Sequence, residues 1–380
     1  MRIFGANNAV FVRCRIQTDS ALSIEHFGGK VKRLLAGFIA LGLALSSQAL
    51  NAQDQPQGRG GRAGGAPAED TFPSAEQFAN SKEAQAHVAS AMKIGGSDMA
   101  DTAKWFCTNT GPQRVALARQ AQGLPRLPTV QEGPIKLFDN LTYIGFNDVG
   151  AWVVPTSAGI ILFDALNSTD DAMKVIEPEM QKAGFDPAQI KYILLGHGHA
   201  DHFGGASYLQ MKYHAKVLAA MPDWAAIQRG GRGGAAPGLM PDMDVMDGQK
   251  LTLGDTTVTL IRLPGHTPGT IGMVVPAKFG GRTHNVAIMS GTQMPTQDSL
   301  DAFKHVFNDE LKKLNVETFF GSHPDILMNS LMLMQSIREK YPTGSHPLLL
   351  AKNKADRYMD IVLECARARL AAQGRLTATN

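Results

Sequence analysis

The sequence predicts an α/β fold, and three observations support this prediction. Short β-type runs, such as residues 190–195 and 258–263, alternate with stretches whose apolar residues recur at helical spacing. Several β-type runs end in a turn, and in three of them the first polar residues after the run include a histidine. Because the loops after neighbouring strands meet at one edge of a sheet, we expect these histidines to lie close together.

The amino terminus has the pattern of an export signal. A basic stretch at 30–33 precedes an apolar run at 34–45, and small residues near Ala49 or Ala52 offer cleavage points. Residues 1–52 are therefore interpreted as a signal peptide with an atypical upstream segment, because Asp19 and Glu25 precede the basic stretch. We expect a periplasmic or secreted protein without membrane attachment after cleavage. An uncleaved anchor is the alternative, although the apolar run is short for a membrane span.

Composition predicts a disordered linker at residues 53–70, which are rich in Gln, Gly, Arg and Pro. The Gly/Arg tract at 59–67 is echoed at 229–237, where it is either a plain solvated loop or a mobile loop near a cleft. The net charge of +3 is too small to indicate a polyanionic partner, so no nucleic acid partner is expected.

Residues 71–134 are predicted to form a helical amino-terminal extension, with helices at 75–91 and 112–122. Further along, Asp170 is expected to cap a helix that ends near Gly184. Two later apolar stripes predict core-facing helices, the last of which Gly374 can end. The stripes consist of Phe303, Val306, Phe307, Leu311 and Leu314, and of Tyr358, Met359, Val362, Cys365, Ala366 and Leu370.

Two cysteines remain after removal of the predicted signal peptide. Cys107 lies in the extension and Cys365 in the last predicted helix. In an oxidising compartment they could form a disulfide between these two parts. Two buried free thiols fit the sequence equally well.

The segment 197–202, His-Gly-His-Ala-Asp-His, follows a β-type run and indicates a metal site. It offers His197, His199 and His202 as nitrogen ligands and Asp201 as an anionic oxygen ligand, a set that suits borderline metals such as zinc. A polar loop with incidental histidines is the alternative, but histidine is scarce and here it clusters at ligand spacing.

Two later histidines occupy similar positions. His266 lies in the turn Gly-His-Thr-Pro-Gly after the run 258–263, and His323 lies in Ser-His-Pro after the run 318–320. Alone, each could be an ordinary loop residue. Together with the segment 197–202, they are predicted metal ligands. The other histidines lack such context and are interpreted as structural or exposed: His26, His87, His214, His284, His305 and His346.

The order His-x-His-x-Asp-His, Gly-His-Thr-Pro-Gly and Ser-His-Pro resembles the metallo-β-lactamase superfamily, and is most similar to subclass B3 zinc β-lactamases. The similarity runs from about Leu137 to the carboxyl terminus and includes the segment 149–152, Asp247-Gly248 and His346-Pro347. The resemblance implies an αββα sandwich over residues 135–374, with the metals between strand ends.

The resemblance also implies two Zn²⁺ ions and the ligands of each. The first ion would be held by His197, His199 and His266, and the second by Asp201, His202 and His323. Many relatives place a bridging Asp, or a Cys, at the end of the strand that here is residues 286–289. This chain has Ser290 there. That difference disfavours the glyoxalase II, lactonase and Cys-containing patterns.

The implied function is hydrolysis of the β-lactam ring of penicillins, cephalosporins and carbapenems by a zinc-activated water, with Asp201 as a catalytic residue. Ser290 and Thr292 are candidate contacts for the substrate carboxylate, although residues 290–295 depart from the subclass pattern. One alternative is a hydrolase of lactones or other esters with weak or no β-lactamase activity. A metal-binding scaffold without turnover is another.

Overall fold

Two β-sheets form the centre of the protein. The computed structural model describes residues 73–107, 130–229, 238–291, 297–324 and 330–377, which belong to one compact unit. The first sheet has the strand order β1-β2-β3-β4-β5-β6-β7: β1 (Ile135–Phe138), β2 (Leu141–Gly145), β3 (Gly150–Thr156), β4 (Gly159–Phe163), β5 (Ile190–Leu194), β6 (Lys216–Ala219) and β7 (Met243–Asp244). The second has the order β12-β11-β10-β9-β8: β8 (Lys250–Leu253), β9 (Thr256–Arg262), β10 (Ile271–Phe279), β11 (Arg282–Met289) and β12 (Val316–Gly321).

Helices cover the outer faces of both sheets. They are α1 (Ala75–Asn80), α2 (Lys82–Gly95), α3 (Ala100–Cys107), α4 (Thr169–Asp171, a π-helical Ala172–Ile176 and Glu177–Lys182), α5 (Ala200–Phe203), α6 (Ala206–Tyr213), α7 (Met221–Gln228), α8 (Gln297–Lys304, a π-helical His305–Glu310 and Leu311–Lys313), α9 (Ser330–Glu339) and α10 (Lys352–Ala372). A 3₁₀ turn spans Pro187–Gln189. Among the described helices, none combines the length and apolar character that a membrane crossing requires.

Three apolar layers confirm the predicted αββα sandwich. Between the sheets, Trp152 of β3 packs against Phe320 of β12, with ring centroids 4.9 Å apart. On the outside of the second sheet, Phe319 stacks on Tyr358 of α10 at 4.4 Å. The outside of the first sheet packs against α4 and α6. Adjacent positions of one strand, such as 319 and 320, thus face opposite layers, as the two-residue repeat of a strand requires.

The amino-terminal helix predicted at 75–91 is two helices. The backbone of Ser81 is extended, and its hydroxyl oxygen accepts the Ala84 N–H, so Ser81 caps α2. The same hydroxyl donates to the Ala371 carbonyl oxygen at 3.2 Å. These two bonds favour a break that apolar periodicity alone does not reveal. The predicted helix at 112–122 lies outside the described residues, as do residues 1–72 and 230–237.

The prediction that Asp170 caps α4 is wrong. Ser168 is the capping residue, since its side chain accepts the Asp171 N–H at 3.1 Å. Asp170 lies in the first turn instead and pairs with Lys174, one helical turn away. Both residue types are common caps, and the end of the preceding loop decides between them. Gly184, with φ of 85°, follows the end of this helix as predicted.

The extension is fastened to the last helix. A disulfide joins Cys107 at the end of α3 to Cys365 in α10, which decides between the two alternatives that the sequence left open. Arg357 of α10 adds a hydrogen bond to the Ile94 carbonyl oxygen at 2.8 Å and an ion pair with Asp98 at 2.7 Å. The predicted inward-facing residues of α10 are buried, and Gly374 follows its end.

Loss of the disulfide should destabilise the fold. Because the bond links residues 258 positions apart, it restricts the unfolded chain strongly, and its removal should cost about 2 to 5 kcal/mol. Urea unfolding with and without reductant measures this free energy. The double variant Cys107→Ala/Cys365→Ala is the control, because it should not respond to reductant. Equal stability of the oxidised protein and the double variant would contradict the expectation.

Candidate metal site

Strand ends of both sheets converge on one edge of the sandwich. β4, β5 and β6 are parallel neighbours, and β11 and β12 form a second parallel pair. The carboxyl ends of parallel neighbours lie side by side. The polar residues that follow these strands therefore meet at this edge: Asp164 after β4, His197 after β5, Asp223 after β6, Ser290 after β11 and His323 after β12.

Backbone hydrogen bonds join the two sheets at the same edge. The Ile271 N–H at the start of β10 donates to the Gly196 carbonyl oxygen at 2.8 Å. The Gly150 N–H at the start of β3 donates to the Ser322 carbonyl oxygen at 3.0 Å. Loops from different sheets are thus held in fixed relation beside the histidines.

Three imidazoles point their nitrogens at a common position. His199 Nδ1 lies 3.0 Å from His197 Nε2 and 3.0 Å from His266 Nε2. One nitrogen from each ring falls within 4.8 Å of the other two. His266 is 67 residues from His199, so the fold itself produces this first cluster, which has the composition of a metal site.

His197 also belongs to a second cluster of possible metal ligands. His197, Asp201 and His202 place one donor atom each within 4.8 Å of the others. Asp201 Oδ2 lies 3.4 Å from His202 Nε2 and 3.5 Å from His323 Nε2. The structure thus brings together all six predicted metal ligands, and His323 lies directly after β12.

Polar partners behind the rings fix their orientation. His202 Nδ1 lies 2.8 Å from Asp164 Oδ2, and His197 Nδ1 lies 2.8 Å from the Ser290 hydroxyl. His323 Nδ1 contacts the Asp148 carbonyl oxygen. With Nδ1 engaged in each case, Nε2 is left to face the cluster. This arrangement is typical of metal-bound histidines, whose other nitrogen is held by a carboxylate or carbonyl.

Asp164 was not found by the sequence analysis. It is fully buried, and besides His202 it accepts the Gly196 N–H at 2.7 Å and a hydrogen bond from the Ser322 hydroxyl. Its φ of 68° is rare for a residue other than glycine and is one that Asp tolerates. The available signal was its position directly after the apolar run 159–163, the same kind of position that the histidines occupy.

Charge distribution separates the two clusters. Burial and the surrounding imidazoles hold the pKa of His197 well below its usual value, so its ring is neutral, as a metal ligand must be. Burial also lowers the pKa of His202, but the carboxylates of Asp201 and Asp164 outweigh it and raise that pKa to about 10. Burial alone would raise the pKa of Asp201, yet His202 and His323 lower it overall, so Asp201 is ionised.

The second cluster fits a cation. His202 Nε2 is buried and has no hydrogen-bond partner among the described residues, although the Asp201 carboxylate lies 3.4 Å away. The raised pKa of His202 shows that the two neighbouring carboxylates favour positive charge at this position, which a proton or a metal ion can supply. The donors are imidazole nitrogens and a carboxylate oxygen, which suit a divalent ion such as zinc. The site residues therefore fit a divalent metal.

Of the two candidate substrate contacts, only Ser290 lies within the described residues. Ser290 is fully buried, and its hydroxyl faces His197 from behind. Thr292 lies outside the described residues. Their role in substrate binding stays a prediction. A cleft of about 460 Å³ borders the site on the side of His199, and it is lined by Gly198, His199, Pro222, Asp223, Ala226, Arg229, Thr267 and Pro268.

Three histidines outside the site have structural partners. His87 pairs with Glu364 of α10 at 2.9 Å, and His284 pairs with Glu317 at 3.0 Å. His346 is buried, stacks on Phe138 and hydrogen bonds to the Leu137 carbonyl oxygen. These three positions confirm the structural interpretation made for them.

Replacement of Asp164 by Asn should weaken metal binding. Asn keeps the shape and tolerates the positive φ, but its NH₂ group must face either His202 Nδ1–H or the Gly196 N–H, both of which need an acceptor. We expect the metal affinity to fall about 10- to 100-fold. Competition with a chromophoric chelator measures it. Asp170→Asn is the control, because within the described part of the chain that exposed carboxylate pairs with Lys174 alone. Equal affinities of both variants would refute the role of Asp164.

Comparison with known proteins agrees with this geometry. The family model of the metallo-beta-lactamase superfamily matches residues 144–281. The fold is similar to that of BJP-1, a subclass B3 metallo-beta-lactamase of Bradyrhizobium japonicum, with 27% identity, a TM-score of 0.51 and coverage of 60% of this chain and 89% of that one. It is also similar to Rm3 metallo-beta-lactamase, with 25% identity, a TM-score of 0.50 and coverage of 64% and 93%.

Curated relatives match shorter stretches. The hydroxyacylglutathione hydrolase of Anaeromyxobacter dehalogenans is 35% identical over 81 residues, which are 21% of this chain and 27% of that protein. The N-acyl homoserine lactonase AttM of Rhizobium radiobacter is 33% identical over 111 residues, or 26% and 40%. The chain thus spans well under half the length of either relative. The family match over residues 144–281 and the fold show that the chain is similar to the metallo-β-lactamase superfamily and, within it, to the subclass B3 enzymes.

Proposed function

We propose that the protein is a dizinc hydrolase that opens the ring of β-lactam antibiotics. The observation that carries this proposal is the second cluster, in which His323 joins Asp201 and His202 while Ser290 takes the place after β11. The glyoxalase II and lactonase patterns have a bridging acid at that place. The overall similarity to BJP-1 and Rm3 supports the same proposal.

In this proposal His197, His199 and His266 hold the first zinc, and Asp201, His202 and His323 hold the second. Each set would supply three protein ligands, as catalytic zinc sites do, whereas structural sites are closed by four protein ligands. This difference argues against a scaffold without turnover. Zinc bound there supplies Lewis acidity, which lowers the pKa of a water and polarises the lactam carbonyl.

Asp201 has the charge and the access that a proton carrier needs. About a third of its side chain is exposed (36%), so solvent reaches the carboxylate. The lowered pKa keeps its carboxylate ionised and able to accept a hydrogen bond from the attacking water. As oxygen bonds to the carbonyl carbon and the C–N bond breaks, the ring nitrogen must gain a proton. Asp201 is placed to take that proton from the water and pass it on.

A second candidate function is hydrolysis of thioesters or lactones in the same site. The curated relatives favour it, because their names are those of a hydroxyacylglutathione hydrolase and an acyl-homoserine lactonase. These matches cover 21% and 26% of this chain. Thioesters, lactones and β-lactams all present a carbonyl carbon to a water, so the substrate pocket contributes to the choice between them alongside the metal ligands.

We also propose that the protein is exported to the periplasm or the medium. The disulfide between Cys107 and Cys365 supports this, since such bonds persist in oxidising compartments. Fractionation of cells that produce the full chain tests it. Recovery of the protein in the cytosolic fraction alone, with both thiols reduced, would contradict the proposal.

A substrate panel separates the candidate functions. Zinc-loaded protein is offered a chromogenic cephalosporin, a penicillin, a carbapenem, an acyl-homoserine lactone and a glutathione thioester, each with and without a chelator. We expect β-lactam hydrolysis that the chelator abolishes and added zinc restores. Hydrolysis of the lactone or the thioester alone would overturn the β-lactamase proposal in favour of the second candidate. Inertness towards all five would favour the scaffold.

Asp201→Asn should reduce kcat far more than it reduces binding at the three-histidine cluster. The amide keeps the size of the side chain but cannot accept and return a proton, and loss of a positioned proton carrier typically costs about 100- to 10,000-fold in rate. Steady-state kinetics and metal analysis of the same preparation measure both quantities. Asp170→Asn again serves as the exposed control. Full activity of Asp201→Asn would refute the proposed role.

A further inference from the structure

The carboxylate of Asp223 connects the two loops that supply the first cluster. Oδ2 accepts the Gly198 N–H at 2.7 Å and the Thr267 hydroxyl at 2.6 Å. Oδ1 accepts the Gly269 N–H at 2.8 Å. Gly198 lies between His197 and His199, and Thr267 directly follows His266. One side chain therefore joins loops that are about 70 residues apart along the sequence and that reach the site from different sheets.

Asp223 is buried, and the two ligand loops supply its hydrogen-bond donors. The side chain is 2% exposed, and a buried carboxylate is costly unless hydrogen bonds satisfy it. All three hydrogen-bond donors found for it within the described residues belong to the two ligand loops. A Cβ atom at position 269 would lie 2.4 Å from Asp223 Cγ, so only glycine allows the loop to approach so closely.

The backbone that carries Asp223 is itself anchored. Asp223 lies in the first turn of α7, directly after β6, where a negative charge is favourable. The Met221 N–H donates to Asp244 at 2.7 Å, and the Trp224 indole donates to the Ala219 carbonyl oxygen at 3.1 Å. The carboxylate is thus held by the sheet and the helix, and it can act as a fixed reference point for both loops.

We propose that Asp223 is the positioning residue that sets the separation of His199 and His266, and with it the metal affinity of the first cluster. The inference rests on the proposed metal site, and nothing in the Asp223 contacts requires a particular substrate. His199 Nδ1 and His266 Nε2 are 3.0 Å apart. Small shifts of either loop change the distances to a shared ion, and metal–nitrogen bonds tolerate only a few tenths of an ångström.

The test compares Asp223→Asn with a control at Asp244, which ends β7 and accepts the first N–H of α7. Asn has the same shape, but its NH₂ group faces at least one N–H or O–H donor that needs an acceptor. Asp244→Asn is the control, since Asp244 accepts the Met221 and Val245 N–H groups without touching either ligand loop. Metal-free protein is titrated with Co²⁺, and the affinity and visible absorption spectrum of each bound ion are recorded. Thermal unfolding of the metal-free protein is measured in parallel.

We expect Asp223→Asn to weaken one of two Co²⁺ binding events about 10- to 100-fold and to change its spectrum, whereas Asp244→Asn, which removes only an anchor of the α7 backbone, should have a much smaller effect. Asp164→Asn, which acts on His202, should weaken the other event. Thr267→Val should share part of the Asp223→Asn effect, and Thr267→Ser, which keeps the hydroxyl, should restore binding.

Two outcomes overturn the inference. One is a Co²⁺ affinity and spectrum of Asp223→Asn equal to those of the unaltered protein. The other is a loss of affinity no larger than the Asp244→Asn control shows at the same loss of thermal stability, which would reduce Asp223 to a general role in folding. If the unaltered protein binds no Co²⁺, the proposed metal site itself fails, and that result is distinguishable from both.

Discussion

The convergence of imidazole nitrogens and carboxylate oxygens at one edge of the sandwich is the constraint on which the site depends. The Asp201 carboxylate faces the buried His202 Nε2 at 3.4 Å, and three further ring nitrogens converge beside them. The carboxylates of Asp201 and Asp164 favour positive charge beside His202, which a proton or a metal ion can supply. The contacts behind the rings prevent the arrangement from relaxing, because Asp164 and Ser290 hold His202 and His197 by their other nitrogens.

The two sheets make this arrangement rigid. Parallel strands bring their carboxyl ends together, and backbone bonds from Ile271 to Gly196 and from Gly150 to Ser322 join the sheets at the site. The apolar layers lie behind this edge, so the ligand loops rest on packed strands. The disulfide joins the amino-terminal helices to α10, which packs on the outer face of the second sheet.

Much of this could be predicted from the sequence, because the decisive residues are of scarce types at short spacing. The segment 197–202, with His266 and His323, predicted the metal site, and strand ends predicted where these residues meet. The roles of Asp164 and Asp223 could not be predicted, because an isolated Asp after a strand has the pattern of an ordinary turn residue. Their importance arises from long-range contacts. The break at Ser81 and the cap at Ser168 were missed because neighbouring polar residues compete for the same local role.

The most direct test of the account is the number of zinc ions that the folded protein binds. Metal-free protein is titrated with zinc in the presence of a competing chromophoric chelator, and bound metal is confirmed by elemental analysis after gel filtration. The account predicts two tightly bound ions per chain, both lost on unfolding in the presence of the chelator. Binding of one ion would contradict the dizinc proposal, and binding of none would contradict the site as a whole.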